Sequence, residues 1–286
     1  MKIDWSKFRA RTTFVVGPDK NVGKTTFLNL ALKRVRGLGY RPAYLSVGVD
    51  GESFDQITGA RKPSIVAAPR DFLATAESAL ERSPVSLSVI RTFPARTVLG
   101  RLVLGKVERG GALELIGPET NRQLTAILAS IGSETDSDAT FVDGAANRVT
   151  PVSVASDACF VYTVIVRQAN VQRVARELLR LSRLDRLPVL NTAPPAAATV
   201  LNGALTSGKL AAIMAAHGPV VVEDFTKVFL TGPELAGLCR ARELFVRRRY
   251  ELLFVIVHLE DVNRATLAGE LADDPLVDRL ILTSEL

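Results

Sequence analysis

The feature that most narrows the fold is an alternation. Short runs that are apolar on both faces, at 12–16, 43–47, 139–143, 159–166, 219–223 and 252–258, are separated by stretches with apolar residues at helical spacing, at 25–35, 119–131, 171–183, 207–216 and 233–243. A strand with a polar face can lie against water, whereas one that is apolar almost throughout must be covered on both sides, the condition of a parallel sheet with helices packed on it. The expected fold is therefore α/β, a mostly parallel sheet with helices on both faces. A further helix is predicted over 71–81, and a last short strand over 280–283. In the middle of the chain, apolar runs at 85–92, 98–107 and 112–116 break the alternation. Arg109-Gly110-Gly111 reads as the turn of an antiparallel hairpin that joins 98–107 to 112–116 and is inserted on the main sheet.

At 286 residues the chain holds one large α/β domain or two modest ones, and 47% hydrophobic with 23% charged residues is ordinary for a globular protein. The Pro- and Ala-rich stretch 187–199 is the best boundary, giving a domain over 1–190 and a C-terminal α/β portion over 191–286 that could continue the same sheet. The longest apolar runs, 158–166 and 252–259, are well short of the roughly 18 residues that span a bilayer. Lys2, Asp4, Lys7, Arg9 and Arg11 precede only Phe14-Val15-Val16 before Gly17, which is no secretory core, so a cytoplasmic location is expected. Cys159 and Cys239 have no paired ligand spacing and are expected as buried free thiols. The charge is +6, and 27 of the 36 basic residues are arginine. They are spread along the chain, and Arg247-Arg248-Arg249 lacks the interleaved aromatics of a base-stacking surface, so a solvated face is expected there rather than a nucleic-acid site.

The most informative stretch is Gly17-Pro18-Asp19-Lys20-Asn21-Val22-Gly23-Lys24-Thr25-Thr26, between the first strand and the first helix. A triphosphate concentrates negative charge that is best met by backbone N–H groups at a helix N-terminus. Gly23 permits close approach, Lys24 would reach the β and γ phosphates, the Thr25 hydroxyl would ligate Mg²⁺, and Thr26 could add a phosphate contact. Five residues, rather than four, separate Gly17 from Gly23, and Pro18 holds the first-glycine position. Pro18 also leaves open an interaction module whose loop binds no nucleotide.

Bound Mg²⁺ needs a carboxylate from a neighbouring strand end. Asp143, closing the run 139–143 and followed by Gly144, supplies one, and Asp50 in Gly48-Val49-Asp50-Gly51-Glu52 supplies a second candidate after the second strand. The metal ligands expected are thus Thr25, Asp50 and Asp143; the catalytic candidates are Lys24 and Asp50. The nucleotide contacts expected are Gly17, Asp19, Asn21, Val22, Gly23, Lys24, Thr25, Thr26 and Gly144. Asn147, Arg148 and Lys62 are weaker phosphate candidates that surface loops explain as well, and Asn170 reads equally as a base contact or a helix N-cap.

Gly-x-Asp-x-x-Val-Gly-Lys-Thr at 17–25 resembles the phosphate loop of dethiobiotin synthetase, and cobyric acid synthases have a similar five-residue spacing; both belong to the P-loop class that includes the Min/Par ATPases. Asp19 stands where the Par group has its signature lysine, and Asp143 where dethiobiotin synthetase has a glutamate. Read in order, Gly17 to Thr26, Ser46-Val47-Gly48-Val49-Asp50-Gly51-Glu52, Lys62-Pro63, Ala74-Thr75-Ala76, Ile116-Gly117-Pro118, Val142-Asp143-Gly144-Ala145 and Gly203-Ala204-Leu205-Thr206 are similar to the P-loop subunit of the reactivating factor for cobalamin-dependent lysine 5,6-aminomutase and ornithine 4,5-aminomutase. The resemblance implies a P-loop NTPase using ATP and Mg²⁺, which works with a larger ATPase subunit to exchange damaged cobalamin on an aminomutase. By analogy with the class, a homodimer is also expected. The alternative is a synthetase of the dethiobiotin type that phosphorylates a small carboxylic acid.

Overall fold

Every residue of the first strand, β1 (Thr12–Val16), is buried, so it must be paired on both edges and covered on both faces. The computed structural model describes residues 3–47, 64–97, 100–144, 155 and 158–286. The chain divides into two compact units, Met1–Thr163 and Val164–Leu286, and the Pro- and Ala-rich stretch 187–199 lies inside the second.

In the first unit β1 is followed by α1 (Lys24–Gly37), β2 (Pro42–Ser46), β3 (Ile65–Ala67), β4 (Phe72–Ala76), α2 (Glu77–Glu81), β5 (Ser86–Thr97), β6 (Gly100–Arg109), β7 (Gly111–Leu113), α3 (Asn121–Glu134), β8 (Ala139–Asp143) and β9 (Ala158–Val166), which crosses the division. Across the sheet the order is β9-β1-β8-β2-β4-β6-β5. The strands from β9 to β4 are parallel, and β6 and β5 are antiparallel to their neighbours. α1 carries the chain from β1 over β8 to β2, while α3 returns it in the opposite direction to β8. α1 buries Phe27, Leu28, Ala31, Leu32 and Val35, and α3, opened by a Thr120/Gln123 capping box, buries Leu124, Ile127 and Ile131. Apart from Ala31, each of these side chains contributes roughly 1.5–3 kcal/mol.

The mostly parallel α/β architecture is as expected, with two corrections in the middle of the chain. The helix expected over 71–81 is a strand up to Ala76, and only Glu77–Glu81 is helical. Phe72–Ala76 is buried at every position between β2 and β6. That lane between two strands overrides the helical propensity of its alanines. An antiparallel hairpin is present, but β5 and β6 form it, with Thr97 opposite Gly100. β7 pairs instead with β3. Gly110 is needed for close approach rather than for a turn, because a Cβ there would lie 2.5 Å from the Ala67 carbonyl oxygen. β5 is the end strand; its pairing with β6 shifts register between Ser86 and Leu87, Val89 and Arg91, and Thr92 and Arg96, and it exposes Val89 and Ile90.

The second unit contains α4 (Val171–Asp185), β10 (Thr199–Leu201), β11 (Leu205–Thr206), α5 (Ser207–Ala215), β12 (Val220–Val222), β13 (Val228–Phe229), α6 (Gly232–Ala241), β14 (Leu244–Val246), β15 (Glu251–Leu259), α7 (Arg264–Leu271) and β16 (Leu280–Leu282). Its pairings are parallel: β10-β12-β14, β11 with β13, and β15 with β16. Buried Asp185 accepts from Leu252 N–H at 3.0 Å and from Arg279 at 2.8 Å, fixing the end of α4 to the start of β15. Cys159 is buried as expected, but Cys239 is exposed on α6. Arg247, Arg248 and Arg249 are exposed, Arg248 facing Glu223 at 3.3 Å. Among the described residues no helix is long and apolar enough to cross a membrane.

One buried carboxylate organises the polar core of the first unit. Asp71, 2% exposed, accepts from both Arg36 Nε (3.1 Å) and Nη2, from the Tyr44 hydroxyl (3.0 Å) and from Ala68 N–H (2.9 Å). Burial first, then the Asp71 charge, pushes the Tyr44 pKa well above 10.0. A raised pKa favours the folded state while the hydroxyl is protonated. That contribution is complete below about pH 10 and is lost as pH rises through the folded value. Asp71→Ala should cost about 3 kcal/mol in urea unfolding because it strands a partly buried guanidinium and a buried hydroxyl. Tyr44→Phe should cost about 1 kcal/mol at neutral pH and flatten part of the alkaline loss of stability.

Candidate functional site

Where β1 ends, the backbone runs against β9 too closely for a side chain. A Cβ on Gly17 would lie 2.5 Å from the Thr163 carbonyl oxygen and 2.7 Å from Val22 Cγ2. The Thr163 hydroxyl donates to the Val16 carbonyl at 3.3 Å. The loop then turns through Asn21 (φ 60°) and Gly23 (φ 89°) into α1, whose first residue is Lys24. Gly23 is the N-cap, so no side chain caps the helix, and its first turn has no acidic residue. The first intrahelical bond runs from Phe27 N–H to the Gly23 carbonyl at 2.9 Å. The N-cap position itself thus offers no side chain to the positive end of the helix dipole.

Lys24 folds back over this loop, its ammonium donating to the Asp19 carbonyl at 2.6 Å. Asp19, Lys20, Asn21 and Thr26 are exposed, and Lys24 and Thr25 are half-buried. Val22 is buried, so its side chain packs inward and its contribution to a ligand is limited to backbone.

The ends of three adjacent strands are level, with Val15 of β1 and Ser46 of β2 both in register with Asp143 of β8. The Thr25 hydroxyl donates to Asp143 Oδ2 at 2.9 Å, joining α1 to β8. The Asp143 carbonyl accepts from Val47 N–H at 2.9 Å, and Gly144 N–H donates to the Val15 carbonyl at 2.9 Å. Lys24, Thr25, Asp143 and Gly144 therefore share one edge of the sheet. A hydroxyl and a carboxylate oxygen in contact are hard donors of the type Mg²⁺ takes, and the turn beside them presents amide donors of the type an anion takes. The donor set fits both.

Asp50, Lys62, Asn147 and Arg148 lie outside the described residues. Asn170 takes the N-cap position of α4, but its side-chain oxygen accepts from Arg167 N–H at 2.8 Å and does not cap the helix.

Next to this edge is a feature that the site residues expected from sequence omit. Residues 115–117 lie across the ends of β2 and β4. The Ser46 hydroxyl donates to the Leu115 carbonyl at 3.1 Å. The Thr75 hydroxyl accepts from Ile116 N–H at 3.0 Å and donates to its carbonyl at 3.3 Å, which also accepts from Ala76 N–H at 3.1 Å. A Cβ on Gly117 would lie 1.8 Å from the Ser46 carbonyl oxygen. Ala74-Thr75-Ala76 and Ile116-Gly117-Pro118 stand out in the sequence as short motifs, but their contact joins residues 41 apart in the chain.

In comparison with known proteins, no protein-family model matches the chain and no curated protein matches it.

Gly17→Ala should lower stability by roughly 1–3 kcal/mol, since backbone must move to admit the methyl group. Gly37→Ala, in open space at the end of α1, should be neutral or stabilising by up to about 1 kcal/mol. Urea midpoints of the two variants against the parent test both.

Proposed function

We propose that this chain is a P-loop NTPase that binds ATP with Mg²⁺ at the turn between β1 and α1. The observation that carries this reading is the 2.9 Å bond from Thr25 to Asp143, which places the first-turn hydroxyl of α1 against the carboxylate that ends the neighbouring parallel strand. The uncapped start of α1 supports it, because a helix that begins with lysine and lacks a cap is favoured by an anion at its N-terminus.

In this reading Lys24 leaves the Asp19 carbonyl and pairs with the β and γ phosphates as a point charge, while backbone amides of the turn hold the remaining oxygens. Thr25 and Asp143 hold Mg²⁺, which neutralises charge on the phosphates. Thr26 is exposed beside them and open to a phosphate oxygen. Asp50 is proposed to orient water or metal from the segment after β2. Following the resemblance in the sequence, ATP binding and hydrolysis drive the exchange of damaged cobalamin on an aminomutase, in concert with a larger ATPase subunit.

Trp5 is the sole tryptophan and stacks on Phe8 and on Phe27, at 5.7 and 6.2 Å between ring centroids, so it reports on the first turns of α1. ATP with Mg²⁺ should change its fluorescence and give a saturable calorimetric isotherm. Lys24→Ala should weaken binding at least about tenfold, the loss of one charge-assisted contact worth roughly 1.5–3 kcal/mol. Negligible heat from the parent and the variant alike would remove the nucleotide reading. If the tagged chain recovers no ATPase or cobalamin enzyme with ATP present, only the partner assignment goes. A burst of ADP that depends on a small carboxylic acid would replace that assignment with a synthetase.

A further inference from the structure

We propose that Ser46 is a positioning residue for the metal of this site, its hydroxyl oxygen accepting a hydrogen bond from water on the Mg²⁺ held by Thr25 and Asp143; this rests on the nucleotide reading above. Ser46 and Asp143 are register partners on adjacent parallel strands, so their side chains project from the same face of the sheet, with the strands about 4.8 Å apart. The Asp143 carboxylate reaches Thr25 on α1, which identifies that face as the one bearing the phosphate loop. Ser46 therefore stands one strand from the metal carboxylate, on its side.

Hydrogen-bond capacity then assigns the role. A serine hydroxyl has one proton and two acceptor positions. The proton is committed to the Leu115 carbonyl, at 3.1 Å, so what remains is acceptor capacity. Water on Mg²⁺ has the opposite need: its oxygen is taken by the metal, and both protons look for acceptors. The hydroxyl is also held in place. Gly117 packs on the Ser46 carbonyl so closely that a Cβ would stand 1.8 Å from it, and Thr75 fixes Ile116 by two bonds. The other residues of β2 are buried, and half-buried Ser46 is the strand's last residue.

The test is a Mg²⁺ titration at fixed ATP, read by Trp5 fluorescence and by calorimetry, on the parent, Ser46→Ala and Ser46→Thr. ATP affinity in EDTA and the thermal midpoint are measured alongside. Ser46→Ala should raise the half-saturating Mg²⁺ concentration about tenfold, in line with the loss of an outer partner of a metal site. ATP affinity without metal should stay within twofold. Ser46→Thr, which keeps the hydroxyl, should lie within threefold of the parent in Mg²⁺. The assignment is overturned if Ser46→Ala leaves the Mg²⁺ midpoint within twofold, if the threonine variant shifts as far as the alanine one, or if thermal stability and metal-free ATP affinity fall with no change in Mg²⁺ dependence. Absence of any ATP signal in the parent protein overturns the nucleotide reading and this assignment together.

Discussion

A threonine hydroxyl donating to an aspartate carboxylate, Thr25 to Asp143, ties the start of the first long helix to the end of a strand more than a hundred residues later. The bond can form only because β1 and β8 are adjacent and parallel with Val15 level with Asp143, and because the backbone at Gly17 passes β9 without a side chain in the way. Register is therefore the controlling quantity. A slip of one residue in β8 would turn the carboxylate to the opposite face of the sheet and leave the hydroxyl alone.

The parts of the site that are contiguous in the chain are legible in the amino-acid sequence alone. A buried strand of β-branched and aromatic residues, a glycine-bounded turn and an amphipathic helix occupy 12–37, and local propensity, burial pattern and turn chemistry there agree. Asp143 is legible for a related reason, since an acidic residue followed by glycine at the end of a buried run marks a strand that stops at an edge. Ser46 and the 115–117 segment are not, because their meaning comes from pairing across strands, which periodicity does not encode. The two departures from expectation in the middle of the chain have the same origin. Phe72-Leu73-Ala74-Thr75-Ala76 has helix formers in its composition and a strand's place in the sheet. The Gly110-Gly111 pair has a turn's composition, but Gly110 is required by the nearness of Ala67.

The two units use the same device to hold their frames. Each has a buried aspartate that is satisfied by arginine and a backbone N–H: Asp71 with Arg36 and Ala68, Asp185 with Arg279 and Leu252. A buried carboxylate of this kind adds little net stability, but it discriminates strongly against arrangements that leave it unpaired. In the first unit Asp71 lies at the start of β4, whose other end is held by the Thr75 bonds to Ile116. The strand beside β2 is thus pinned at both ends, which steadies the rim next to the candidate metal site.

The irregular outermost strand has a bearing on how the molecule behaves in bulk. β5 is twelve residues long and carries exposed Val89 and Ile90, a combination that would ordinarily recruit a neighbouring chain into a growing ribbon. Its three register breaks and the exposed Pro94 disrupt the evenly spaced row of donors and acceptors that such recruitment needs. The same irregularity that spoils an ideal ladder within the protein guards it against fibril-like stacking at high concentration.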